Sequence, residues 1–178
     1  MFSKKTVMAI TAATAAVAGG LAFGVPQATA SGAATPTCRE AGLEVTLDDL
    51  GTPQAGMNHS GTYLRMKNTT DRTCAVRGYP GLGLEKAGHE QAPTDTDRGS
   101  TYFAQDPGRK TVYLQPGDSA WADLEWTHTG ANDVKAKSLR VTPPAATTQA
   151  RVPLDEKVDN GRLAVTALSD TPPGSPAG

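Results

Sequence analysis

L-Q-P-G-D-S-A-W-A-D-L-E-W-T-H, from Leu114 to His128, holds both tryptophans of the chain, the acids Asp123 and Glu125 beside them, and a histidine. Pro116-Gly117 marks a turn, and the residues after it alternate with a period of two. Ala120, Ala122, Leu124 and Trp126 fall on one face, and Ser119, Trp121, Asp123, Glu125 and Thr127 on the other. The stretch therefore reads as a strand with Trp126 turned inward among small neighbours. Trp121 is turned outward beside Asp123 and Glu125, which are read as a solvated face. An exposed indole flanked by carboxylates can stack on a sugar ring or on an aromatic group of a partner. The plainer reading is that it covers a sheet edge.

The same alternation recurs on both sides of this strand. Leu43, Val45 and Leu47 share one face, and Leu64 and Met66 oppose Tyr63, Arg65 and Lys67. Cys74 with Val76, Leu82 with Leu84, Val112 with Leu114, Leu139 with Val141, Val152 with Leu154 and Leu163 with Val165 follow, separated by Gly, Pro, Asn and Asp. Short strands punctuated by turn residues, with no capped helical period, define an all-β chain built as a sandwich or barrel. A sandwich suits this size better.

The chain begins as an export leader would. Lys4 and Lys5 precede an Ala/Val-rich run, and Ala28-Thr29-Ala30 has the small-x-small pattern of a cleavage site, so residues 1–30 read as a signal peptide. The apolar run is interrupted by glycine and no stop-transfer segment follows, so no membrane insertion is expected after cleavage. Removing the two leader lysines from 17 basic side chains leaves 15 against 18 acidic ones, a net charge of −3. No basic stripe is left to neutralise phosphates, which argues against a nucleic-acid partner. Residues 31–37 and 169–178 are composed like mobile tails, bracketing one domain over 38–168. Cys38 and Cys74 are the only cysteines, and in an exported chain a lone pair without C-x-x-C spacing is most simply a structural disulfide.

Four blocks carry a family resemblance: A-G-M-N-H-S-G-T-Y-L-R-M-K-N (Ala55 to Asn68), C-A-V-R-G-Y-P-G-L (Cys74 to Leu82), L-Q-P-G-D-S-A-W-A-D-L-E-W (Leu114 to Trp126) and L-R-V-T-P-P (Leu139 to Pro144). In order and spacing, over about Cys38 to Leu168, they resemble an actinobacterial family of exported proteins, domain of unknown function four-two-three-two. The resemblance implies an immunoglobulin-like antiparallel β-sandwich with the first cysteine bridged to the one after the second strand, and it implies no reaction. In an immunoglobulin-like order, strands Thr62 to Lys67 and Ser119 to Thr127 would be the second and fifth main strands, side by side and antiparallel, with their opposite charges and aromatics facing each other. Members often carry a lipobox cysteine or a transmembrane stem, and this chain departs from that.

G-x-S-x-G, H-E-x-x-H, a phosphate-cradling glycine loop and S-x-x-K are all missing, so no enzyme activity and no cofactor are expected. His59 lies in the loop Gly56 to Gly61, His89 in a polar loop and His128 past the Trp126 strand. Met57 and His59 pair a thioether with an imidazole, the soft donors that suit exported copper, with Met66 and His128 as conceivable further ligands. A glycine-permitted turn and a core-filling Met66 explain the same residues without metal. The connection from Ala87 to Lys110 exceeds ordinary loop length, and a loop that long is a recognition loop or a floppy insertion. A short strand is expected there at Tyr102 and Phe103, with Arg98 and Asp106 on its rims. The sequence thus describes a secreted, non-catalytic domain that binds an extracellular protein or a cell-wall polymer. Trp121, Tyr63, Arg98 and Tyr102 form the candidate binding surface, and a copper carrier using Met57 and His59 is the alternative.

Overall fold

The computed structural model describes residues 34–174; the proposed leader, residues 31–33 and residues 175–178 lie outside the described residues. Eleven strands carry the described chain: β1 Leu43–Asp48, β2 Gln54–Gly56, β3 His59–Asn68, β4 Cys74–Arg77, β5 Gly81–Glu85, β6 Asp95–Arg98, β7 Thr111–Leu114, β8 Ser119–Thr127, β9 Val134–Thr142, β10 Ala150–Val158 and β11 Arg162–Val165. The larger sheet runs β1-β3-β8-β11-β6, with β2 also paired to β3; a second sheet runs β10-β9-β5, and β4 pairs with β7. All pairings are antiparallel except β6 with β11.

Strand β8 sits at the heart of the larger sheet, and its alternation decides the packing. Ala120, Ala122, Leu124 and Trp126 are all buried, as the period of two requires. Against β3 the register places Met66 beside Ala120, Leu64 beside Ala122 and Thr62 beside Leu124. A large side chain next to a small one lets the layer fill without voids. Leu139 and Val141 of β9, Val152 and Leu154 of β10, Leu84 of β5 and Val112 and Leu114 of β7 join the same core.

Cys38 and Cys74 are bonded, with their Cα atoms 4.9 Å apart, and they fasten the segment before β1 to the start of β4. The orders β1-β3-β8 and β10-β9-β5 reproduce the A-B-E and G-F-C orders of an immunoglobulin sandwich. The parallel β6–β11 pair and a bridge anchored ahead of β1 fall outside that plan. The description that holds is an all-β, sandwich-like domain of mostly antiparallel strands with one disulfide.

The tight connection expected between Gly56 and Gly61 is a two-residue turn: Met57 (φ 48°) and Asn58 (φ 67°) are both left-handed, a geometry that matches strand twist, and His59 to Gly61 already belong to β3. Where residues 34–37 and 169–174 are described, backbone bonds join Pro36 and Ser169 to the domain. Ala75 donates to Pro36 O (2.9 Å) and accepts from the Cys38 amide (2.9 Å), and Ser169 exchanges backbone bonds with Trp121 (2.8 and 2.9 Å). In the long connection the strand is the charged stretch β6, whereas Tyr102 and Phe103 lie in a turn.

Candidate functional site

The outer face of β3 and β8 was expected to be wet. It is instead half roofed, and this roof organises the site. Asp123 is fully buried and Glu125 nearly so. Residues 99–106 fold back over them through a self-contained turn. Thr101 Oγ1 accepts from the amides of Phe103 (3.2 Å) and Ala104 (3.0 Å) while donating its proton to Asp123 Oδ1 (2.5 Å). From the other side Gln54 Nε2 donates to Asp123 Oδ2 (2.7 Å). Burial, with Glu125 adding to it, raises the Asp123 carboxyl above the ordinary carboxylate range even though both hydrogen bonds pull it down. Gln54 Oε1 is itself buried and has no partner.

Gly61 makes this roof possible. A Cβ there would collide with Gln54 Oε1 and come within 2.8 Å of the Phe103 ring, so the strand carries a glycine where the turn presses on its backbone. Beside it His59 Nδ1 pairs with Glu125 Oε1 at 2.6 Å, and the Tyr102 ring stacks on the imidazole at 4.2 Å and 10°. Phe103 meets Tyr102 edge-on.

The roof is pinned at its far end by Asp106, which accepts from Tyr79 Oη (2.8 Å) and from the Ala167 amide (2.8 Å). That hydrogen bond to Asp106 raises the Tyr79 phenol. Ala167 is free to turn this way because the pairing after β11 slips by one residue. Thr166 donates to Asp123 O, as the β11 register requires, but Trp121 is then met by Ser169. The extra residue is a β-bulge, and it re-aims the Ala167 and Leu168 amides.

Beyond the roof the outer face is open. Tyr63 and Trp121 meet edge to face with centroids 6.4 Å apart, and the Arg65 guanidinium lies over the indole at 5.3 Å. Register Arg65↔Trp121 and Tyr63↔Asp123 fixes these side chains on neighbouring rungs. A groove of about 420 Å³ starts at Tyr63 and runs between Phe103 and the Leu50 to Ala55 stretch.

The structure thus brings Tyr63 and Trp121 together, and sets Tyr102 on His59 farther along β3, toward the β2–β3 turn. It does not bring Arg98 there: Arg98 ends β6 against Val165, and its charge acts on Tyr79. The copper residues do not converge. Met57 is 83% exposed on its turn, Met66 is buried in the core on the opposite face of β3 from His59, and His128 Nδ1 meets Ser60 Oγ at 3.3 Å. Among the described residues no three His, Cys, Asp or Glu side chains gather where a metal could be held.

Sequence reasoning missed Asp123, Gln54 and Thr101 as a buried group. The available signal was Gly61, a glycine inside an otherwise regular strand. It missed Glu85 as well. That carboxylate on the second sheet is 2% exposed and takes hydrogen bonds from Arg151 Nε (2.5 Å), Arg151 Nη2 (3.0 Å) and Ser138 Oγ (2.8 Å), with Arg140 at 3.4 Å. The Arg151 bond foremost holds it down to about 2, against the opposing effect of burial.

Fold and site together define a disulfide-stapled, sandwich-like β domain with an aromatic–cation row on one sheet. The chain belongs to the family described as Domain of unknown function (DUF4232), whose model matches residues 38–169. No curated protein and no solved structure matches it.

Proposed function

We propose that this domain is a secreted, non-catalytic binding module whose recognition surface is the outer face of β3 and β8. The observation that carries the reading is the row Tyr63, Trp121 and Arg65, half-buried side chains locked by ladder register and mutual packing. A rigid indole with a phenol edge and a guanidinium costs little ordering entropy on binding, and it offers apolar area and donors together. Sugar rings of a wall polymer and aromatic side chains of an envelope protein both present the complement. The groove from Tyr63 to Phe103 extends the surface. Catalysis is disfavoured because the His59–Glu125 pair is capped by Tyr102 and has no hydroxyl or thiol nucleophile bonded to it. The disulfide is compatible with an oxidising, extracellular setting.

The test is co-sedimentation of the domain with purified peptidoglycan and, separately, with solubilised envelope proteins. Trp121→Ala should lower retention on one of them at least about tenfold, as loss of a central aromatic anchor does, while leaving the melting curve nearly unchanged. Equal retention of parent and variant on both would refute the surface.

A further inference from the structure

Among the described residues strand β7 has a partner on one side only. Its register with β4 pairs Cys74 with Leu114, Ala75 with Tyr113, Val76 with Val112 and Arg77 with Thr111. The amide and carbonyl of Ala75 point away from β7, to Pro36 O and the Cys38 amide. In an antiparallel ladder the residues of one pair point their backbone groups the same way relative to the ladder, both into it or both out of it. Ala75↔Tyr113 is therefore an outward pair, and by alternation so is Arg77↔Thr111. Thr111 and Tyr113 thus direct two amides and two carbonyls off the free edge of β7, where no described residue bonds the Tyr113 backbone.

That edge is one wall of a groove of about 550 Å³. The opposite wall is the stretch from Leu168 to Gly174 that leaves the β-bulge, with Pro172 and Pro173 toward the groove, and Lys110 and Asp170 also line it. The Tyr113 ring stands 62% exposed above it. The edge sequence T-V-Y-L is β-branched and aromatic and lacks the proline or inward charge that usually blunts such an edge.

We infer that the groove between β7 and Leu168–Gly174 takes an extended peptide segment of another protein, which adds to β7 as a strand through the backbones of Thr111 and Tyr113. Only an extended polypeptide supplies acceptors and donors at the two-residue repeat these groups present. A second copy of this chain is the poorer occupant. Its own β7 edge lies behind the same Leu168–Gly174 wall, so two edges cannot meet without both walls moving. Apolar residues at alternate positions of the segment would face Tyr113 and the prolines, and the opposite charges of Lys110 and Asp170 flank the groove. This surface is separate from the Trp121 row and stands or falls without it.

Amide hydrogen exchange and titration with the hexapeptide acetyl-Thr-Val-Thr-Val-Thr-Val-amide test the inference. In the free full chain the Thr111 and Tyr113 amides should exchange at least about a hundredfold faster than those of Val112 and Leu114, which the β4 ladder protects. Millimolar peptide should slow the fast pair at least about threefold, and a twin peptide N-methylated at alternate residues should not. Tyr113→Pro removes one outward amide that the β4 ladder does not use and should abolish the effect, whereas Tyr113→Thr should keep it. If Tyr113→Pro does not fold, the N-methylated twin makes the same comparison from the ligand's side. Equal effects of the two peptides, or no slowing, overturn the inference. So does protection in the free chain that rises with protein concentration, which assigns the edge to a second copy, or that vanishes on deleting residues 175–178, which assigns it to the chain's own end.

Discussion

Replacing Asp123 with asparagine should leave the domain about as stable at neutral pH as the parent, although the carboxylate is fully buried and holds the roof down. Truncating a buried charged partner ordinarily costs about 3–5 kcal/mol, because what it bonded is left stranded. Here the geometry works the other way. Burial already disfavours the charged form, and Gln54 Oε1 is a buried acceptor without a donor. Asparagine keeps the shape and the acceptor for Thr101 Oγ1, and its amide can donate to Gln54 Oε1 once the Gln54 amide turns over. That turn moves the orphan from Gln54 Oε1 to its amide nitrogen, so no bond is gained there; what asparagine recovers is the cost of burying a charge, about 1–3 kcal/mol, and exchanging two charge-assisted bonds for neutral ones gives up a similar amount. The net change is therefore within about 1 kcal/mol. Asp123→Ala, which strands both Thr101 and Gln54, should cost about 3 kcal/mol or more.

The sign with pH follows from the raised carboxyl. Its contribution is fully present below the ordinary carboxylate range and is lost as pH rises through the folded value, so asparagine gains on aspartate as pH goes up. Urea unfolding followed by tryptophan fluorescence from about pH 4 to 8 reads both effects. A loss above about 3 kcal/mol for Asp123→Asn at pH 7, or a difference that does not move with pH, would refute the reasoning.

Trp126→Ala should cost about 3–5 kcal/mol as a core truncation, and Trp121→Ala about 1 kcal/mol or less, both by the same denaturant series. Gly61→Ala should destabilise by about 1–3 kcal/mol and speed hydrogen exchange in residues 99–106, because the new methyl displaces Phe103 and Gln54. Glu85, held down by Arg151, contributes stability that is complete above about pH 4.5 and fades as pH falls toward about 2, so Glu85→Gln should flatten the acid limb of a stability–pH profile. Reducing Cys38–Cys74, which spans 36 positions, should lower stability by about 4 kcal/mol in the same unfolding assay under reductant.

The period of two was enough to phase Trp126 and Trp121, because alternation maps directly onto the two faces of a strand, whereas the pairing of β3 with β8 was legible only through the strand order that the family resemblance implies. It could not tell a polar residue facing water from one facing a distant loop. Asp123 and Glu125 read as a solvated face for that reason, although Gln54, Thr101 and Tyr102 cover them. Asp95–Arg98 carries no apolar alternation at all and becomes a strand only because Arg162–Val165 arrives beside it. Such an edge is decided by tertiary contact and not by local preference. Tyr102 stands out in the sequence only as an aromatic in the longest connection, and what places it, the Thr101 turn anchored on Asp123, is a long-range bond that spacing does not encode.

The position of β11 has a consequence for how the molecule is made. It lies between β8 and β6, and the bulge that follows it ties Trp121, Gly78 and Asp106 to residues 167–169. A chain emerging from its N-terminus therefore has β8 with one bare flank and β6 with no neighbour until the closing strand appears. Non-local pairing of this kind assembles slowly. The larger sheet therefore cannot close until Arg162–Val165 has been made. A chain halted before Arg162 would present β8 as a long, apolar, sticky flank and should clump where the full chain does not.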